Sequence, residues 1–367
     1  MRNKLLSILF SFFFIFISCE QESQNVTSPD TRVKQDVERQ GGILRAHLPG
    51  NVVIANRASG TISVIDVASD KVSATYQMPD NGEPMYVVWS PRNKTVLVGD
   101  RANNRVVFFD SDDFSVKGTV EAGNGVFHMW AQVNSNDLWV VNDIDKTVSV
   151  IDIAAMQEKR TINLPADLVA MGGKPHDVIT GPFGRLAYVT MLGFSGENDY
   201  VVQYDMRTGS ELGRAKVGKD PHLSLHPRVN QNLYVPAQNS NALYIINRFT
   251  METTEILDIP GAHGAGMAWN GRTFYTTNLP GGGAHGIFAV DTRSDNILGS
   301  VDTYMDNLVA VPHNIALNHN SKKLYLTHSG GNSNTVTVYM VDPASRLPQF
   351  VTEIEVGFNP FGLAYSN

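Results

Sequence analysis

Of the ten histidines in the 367-residue chain, five stand at or next to the start of short β-branched runs: His128, His176, His222, His263 and His313. Three sit in Pro-His pairs, Pro175-His176, Pro221-His222 and Pro312-His313. Neutral imidazoles converging from separate segments suit copper, zinc, iron or nickel, and a histidine near its ordinary pKa serves as an acid or base near neutral pH. Any one histidine at a strand start is ordinarily structural, capping a loop or bonding a carbonyl. The recurrence is what raises the question of a shared site.

The segments that carry these histidines repeat. Residues 173–217 hold four short hydrophobic runs, around 177–180, 186–191, 200–204 and 211–217, divided by Gly, Pro, Asn and Asp, the pattern of four antiparallel strands joined by tight turns. Aligning Pro84, Phe127, Pro175, Pro221, Gly264, Pro312 and Pro360 as the starts of seven inner strands gives spacings of 43 to 48 residues. Such a unit covers its faces only against copies of itself, which predicts an all-β, seven-bladed β-propeller. The last inner strand, from Pro360, has nothing after it, whereas strands near Asn51, Thr61 and Lys71 have no inner partner. Strands from both termini are therefore expected to close the last blade. An eight-bladed ring using residues 42–48 is the competing arrangement.

On this scheme the five strand-start histidines share one end of the channel. His285 and His328, in or beside the loops between second and third strands, belong to the same face. His226 and His319 fall at the opposite end, and His47 precedes the repeats. The candidate metal ligands are thus His128, His176, His222, His263, His285, His313 and His328, with copper or zinc as the ion. Candidate catalytic groups are His176, His222, His313 and Arg101. Arg57, Arg101 and Arg105 lie in loops of the same face and are equally read as turn residues pairing with Asp100, Asp143 or Asp145.

LAYVTM at 186–191, LYLTHSG at 324–330 and LWVVND at 138–143, with TISVID at 61–66 and TVSVID at 147–152, resemble the seven-bladed YVTN-type propeller family over about residues 50–367. That resemblance implies the fold and leaves the chemistry open. The histidine-bearing face and residues 312–339 are also similar to the propeller of nitrous oxide reductase, whose copper-sulfide cluster is held by histidines from several blades. The chain has no adjacent His-His pair and no dinuclear copper domain, so the resemblance implies a multi-histidine metal site and not the reductase activity. Propeller-fold polysaccharide lyases give a further comparison, in which His or Tyr abstracts a proton beside a carboxylate that Arg or a metal neutralises.

Residues 1–18 combine Arg2 and Lys4 with an apolar run, 5–17, too short for an ordinary membrane span, and read as a signal peptide ending at the chain's single cysteine, Cys19. This end resembles a bacterial lipoprotein signal, which implies acylation of Cys19 and a lipid anchor in the cell envelope, at the outer membrane facing periplasm or exterior. Residues 19–41 form a polar tether and 42–367 the propeller. A lone cysteine leaves no internal disulfide. A formal net charge of −7 without a basic stripe argues against nucleic-acid partners. The expected protein is monomeric and binds a carbohydrate, small-molecule or protein ligand through its histidine-rich face. The alternative is an enzyme using the same histidines, either a polysaccharide lyase or a metal-dependent lactonase or oxidoreductase.

Overall fold

Along the strand Thr95–Asp100, Val96 and Val98 pack toward one neighbouring sheet, whereas Leu97 packs toward the other. Phe109 and Val107, against Phe108 and Val106, divide in the same way on the next strand. Alternation with both faces buried requires a sheet on each side, and a ring of sheets meets that requirement. The computed structural model describes residues 50–224, 231–279, 286–303 and 311–367. These form seven small antiparallel sheets, the blades of a seven-bladed β-propeller. Blades one to six occupy residues 84–121, 126–163, 174–217, 221–258, 262–301 and 312–355. The seventh joins Pro360–Ser366 to Asn51–Asn56, Thr61–Asp66 and Lys71–Gln77, with Val53 opposite Ala364, so both termini close the ring as the sequence predicts. The signal segment, Cys19, the tether and residues 42–48 lie outside the described residues.

One turn is repeated in all seven blades. At the end of each third strand an Asx side chain accepts backbone N–H groups two or three residues on: Asp66, Asp110, Asp152, Asp205, Asn247, Asp291 and Asp342. Four residues later the chain turns left-handed, at Asp70, Phe114, Met156, Gly209, Met251, Asp295 and Arg346. This is a type I turn followed by a left-handed residue, which sets the hairpin register of the outermost strands. The aspartate of the TISVID and TVSVID segments is explained by this turn.

The seam between blades six and seven carries a buried network. Lys323 Nζ donates to Asp70 Oδ2 at 2.6 Å and to the Val67 carbonyl at 2.7 Å, and the Tyr325 hydroxyl donates to Asp70 Oδ1 at 2.6 Å. Residues more than 250 apart in sequence are locked together there.

Every inner strand also departs from its partner at one place. Pairing skips two residues between Pro84 and Val87, Val126 and Met129, Pro175 and Val178, Ala262 and Ala265, and Pro312 and Ile315. In blade four the same skip separates the bridges at Pro221 and Ser224. Two residues there face one on the partner strand, a bulge with one extra residue, and their side chains are re-aimed off the pleat. A threonine from the second strand satisfies the freed backbone. Thr190 Oγ1 accepts the Asp177 N–H, Thr277 Oγ1 that of Gly264 and Thr327 Oγ1 that of Asn314. Thr277 and Thr327 then donate to the carbonyls of His313 and Phe361 in the next blade. The threonine of LYLTH is therefore a stitch between bulge and neighbour, and that of LAYVTM caps its own bulge.

This register corrects two of the seven aligned positions. The residues equivalent to Pro175 are Val126 and Ala262, rather than Phe127 and Gly264. Proline occupies this position in the other five blades, and the two blades that lack it gave the alignment no landmark.

Candidate metal centre in the propeller channel

The bulges deliver one aromatic side chain per blade to the channel. In ring order these are Tyr86, His128, His176, His222, His263, His313 and Phe361. Successive ring centroids are 3.7, 5.1, 4.7, 3.8, 4.8 and 4.2 Å apart, and Phe361 returns to Tyr86 at 5.4 Å. Phe127 adds an eighth ring, 5.0 Å from His176 and 6.2 Å from Phe361. The side chains that close the channel are thus in contact with one another, and the channel is filled at this level.

All five histidines are buried, His313 completely and His128 to 7% exposure. Each has an Nε2 without a hydrogen-bond partner, and His263 also has a free Nδ1. Unsatisfied buried polar atoms are costly singly, and five on successive blades of one ring mark a site with a ligand to receive. One ring nitrogen from each of His128, His176 and His222 falls within 4.8 Å of the others, and His222, His263 and the Asp220 carboxylate form a second group within the same limit. His222 belongs to both.

Asp177, beside His176 in the same bulge, is, like Asp220, absent from the candidates read in the sequence. His128 Nδ1 donates to its Oδ1 at 3.1 Å, and its Oδ2 accepts the Leu223 N–H at 2.9 Å, so one carboxylate ties blades two, three and four together. Burial works to raise its pKa, but the His128 contact and the backbone donor prevail and hold it below the usual carboxylate range. With Nδ1 donating, His128 presents the Nε2 lone pair inward, the arrangement by which a carboxylate orients a metal-binding imidazole. An Asp immediately after a strand-start His, one repeat after a His displaced by one position, was the available signal.

The remaining imidazoles are held neutral. Burial first, and neighbouring histidines second, lower His176 and His263 well below the ordinary value. His222 and His313 are lowered to about 3, by burial and then by His128 and by His222 respectively. Burial and the adjacent Asp199 raise Asp220 to about 6. Neutral donors flanked by two carboxylates repel anions, whereas a divalent cation placed there is balanced by Asp177 and Asp220.

No family model matches the chain, and no curated protein matches it. Solved structures do. Hydrazine synthase from Kuenenia stuttgartiensis superposes with a TM-score of 0.65 at 16% identity, covering 77% of this chain and 89% of that one. A functionally unknown protein from Desulfotomaculum acetoxidans DSM 771 superposes with a TM-score of 0.66 at 12% identity, covering 87% and 99%. The fold is what they share. At these identities the likeness shows the propeller architecture alone.

Of the other sequence candidates, His328 is not drawn into the cluster. Its Nε2 bonds Thr337 Oγ1 at 2.7 Å within its own blade, taking the role of Asn56 on Ser63 and Asn142 on Ser149 at the equivalent strand ends. His285 lies outside the described residues. Arg101 is held by both oxygens of Asp143, at 3.0 and 3.2 Å, and stacks over Phe127. Arg57 pairs with Glu83 and stacks over Phe361, and Arg105 pairs with Asp100 and Asp80. Arg57 and Arg101 tie adjacent blades above the aromatic ring.

Proposed function

We propose that this propeller binds a divalent or monovalent transition-metal ion, of the copper or zinc class, in its channel. His128, His176 and His222 are the primary donors, Asp177 orients His128, and His263 and Asp220 flank the site. The observation that carries this reading is the group of three buried ring nitrogens within 4.8 Å, from residues whose Nε2 atoms have no other partner. A purely structural histidine would be expected to spend its Nε2 on a hydrogen bond, as His328 does.

Two further features support binding over polysaccharide cleavage by the same residues. A general base works best with a pKa near the operating pH, and His222 and His313 lie near 3. Arg101, the cation that would neutralise a uronic carboxylate, is already paired with Asp143. We further infer from residues 1–19 that the domain is held at the cell envelope by lipid on Cys19.

Untagged protein, stripped with chelator and offered Cu or Zn, should retain one equivalent of metal by elemental analysis. His222→Ala should abolish retention. Asp177→Asn should weaken it about 10- to 100-fold, the usual effect of losing a carboxylate behind a histidine ligand. Absence of stoichiometric metal in the folded parent protein would refute the proposal.

A further inference from the structure

On the face opposite the histidines, a groove of about 340 Å³ opens between blades three and four. Its walls include Phe183, Leu212 and Phe249, each more than half exposed, and at its side lies Arg248, only 6% exposed. A seven-fold comparison shows how unusual that arginine is. In six blades the residue just after the Asx, and in blade six the residue just before it, donates its N–H to the carbonyl preceding the second strand. The residues are Val67, Ser111, Ile153, Met206, Arg248, Thr292 and Val341. Among these equivalent positions Arg248 is the single charged residue, and the buried ones are otherwise Val67, Ile153, Met206 and Thr292.

The Arg248 guanidinium has the Tyr188 hydroxyl as a neutral partner and no anion among the described residues. No carboxylate among the described residues lies within ion-pair distance of its guanidinium, and its Nε has no hydrogen-bond partner. Its backbone carbonyl, and not its side chain, accepts from Tyr188 and Gln203, at 2.8 and 2.6 Å. The guanidinium carbon lies 4.4 Å from the centre of the Phe249 ring. Gly181 leaves room for it, since a Cβ there would stand 3.2 Å from Nη1. A guanidinium cannot shed its charge at neutral pH, and burying one without an anion is costly. Asp205, the carboxylate in the groove wall, is committed to its own turn through Arg207 and Thr208. Arg185, also in the wall, adds a second positive charge.

We propose that this groove binds a small amphipathic carboxylate. Arg248 takes the carboxylate through its planar fork, and Phe183, Leu212 and Phe249 cover an apolar body of medium-chain acyl or single-ring size. The site shares no residue with the channel and stands or falls independently of the metal reading.

The test is calorimetric titration of the full chain with octanoate, benzoate and inorganic phosphate. Octanoate or benzoate should bind and phosphate should not. Arg248→Met, which copies the residue of blade three, should weaken binding at least about tenfold while leaving the thermal midpoint equal or higher, because a buried charge is removed. Phe249→Ala, at an exposed position that cannot unfold the ring, should weaken binding too and keeps the test decisive if Arg248→Met fails to fold. No binding of either carboxylate, equal binding of phosphate, or undiminished binding by both variants would each overturn the proposal.

Discussion

Acidification of the metal-free protein gives the most direct measure of the histidine ring. His222 and His313 have native pKa values of about 3, against about 6.5 in an unfolded chain. Between those values the unfolded state binds protons that the native state refuses, so stability is lost as pH falls from 6.5 toward 3. At pH 5 the loss is about 2 kcal/mol for each residue, set almost entirely by the unfolded pKa. His176 and His263, depressed by the same burial, add losses of the same sign. Asp220 opposes them. Its carboxyl, raised to about 6, takes up its proton first in the native state and gains about 1 kcal/mol at pH 5. Asp220 is partly open to solvent, so its share is discounted further. The net loss from these groups is several kcal/mol, a large part of the 5–15 kcal/mol typical of a native domain. Urea midpoints measured with chelator at pH 7, 6 and 5 should fall steadily, and His313→Asn should flatten the slope by one proton. A midpoint that holds level or rises from pH 7 to 5 would show that the imidazoles are not buried and neutral.

Two other perturbations test separate parts of the molecule. Asp70→Ala leaves Lys323 and the Tyr325 hydroxyl buried without their shared acceptor, which should cost about 3–5 kcal/mol in urea unfolding, and a loss below about 1 kcal/mol would mean the seam is not held by this network. Cys19→Ser should move the protein from the membrane fraction to the soluble fraction and end incorporation of labelled palmitate; unchanged fractionation would remove the lipid anchor.

The blades were legible because their period is carried by many residues at once. Alternating Val, Ile and Phe, an Asx at the end of each third strand, and a proline at five of seven inner-strand starts all report the same repeat. The unpaired strands at both ends made the closure readable as well. The site was legible as a set of positions: His128, His176, His222, His263 and His313 do meet. Their geometry was not, because a bulge of two residues gives two side chains per blade and sequence spacing does not say which one enters the channel. In blade two it is His128 from the second bulge position, and in blade three His176 from the first, which frees Asp177 to turn back and orient His128. Arg101 and Arg105 read correctly as partners of neighbouring carboxylates. Arg248 gave no sign in the sequence, since its oddity appears only when the seven turns are superimposed.

Ring closure by the two termini also dictates an order of events during synthesis. Residues 51–77 are among the first of the propeller to be made, yet the inner edge of their sheet waits for Pro360–Ser366, synthesised about 300 residues later. Until then Asn51–Asn56 presents an unpaired edge, a template for a neighbouring chain. A transcript broken or a chain clipped before residue 360 keeps that edge open for good. The strand Pro360–Ser366 is therefore the closure of the whole ring, and a chain that lacks it leaves a blade with an open inner edge.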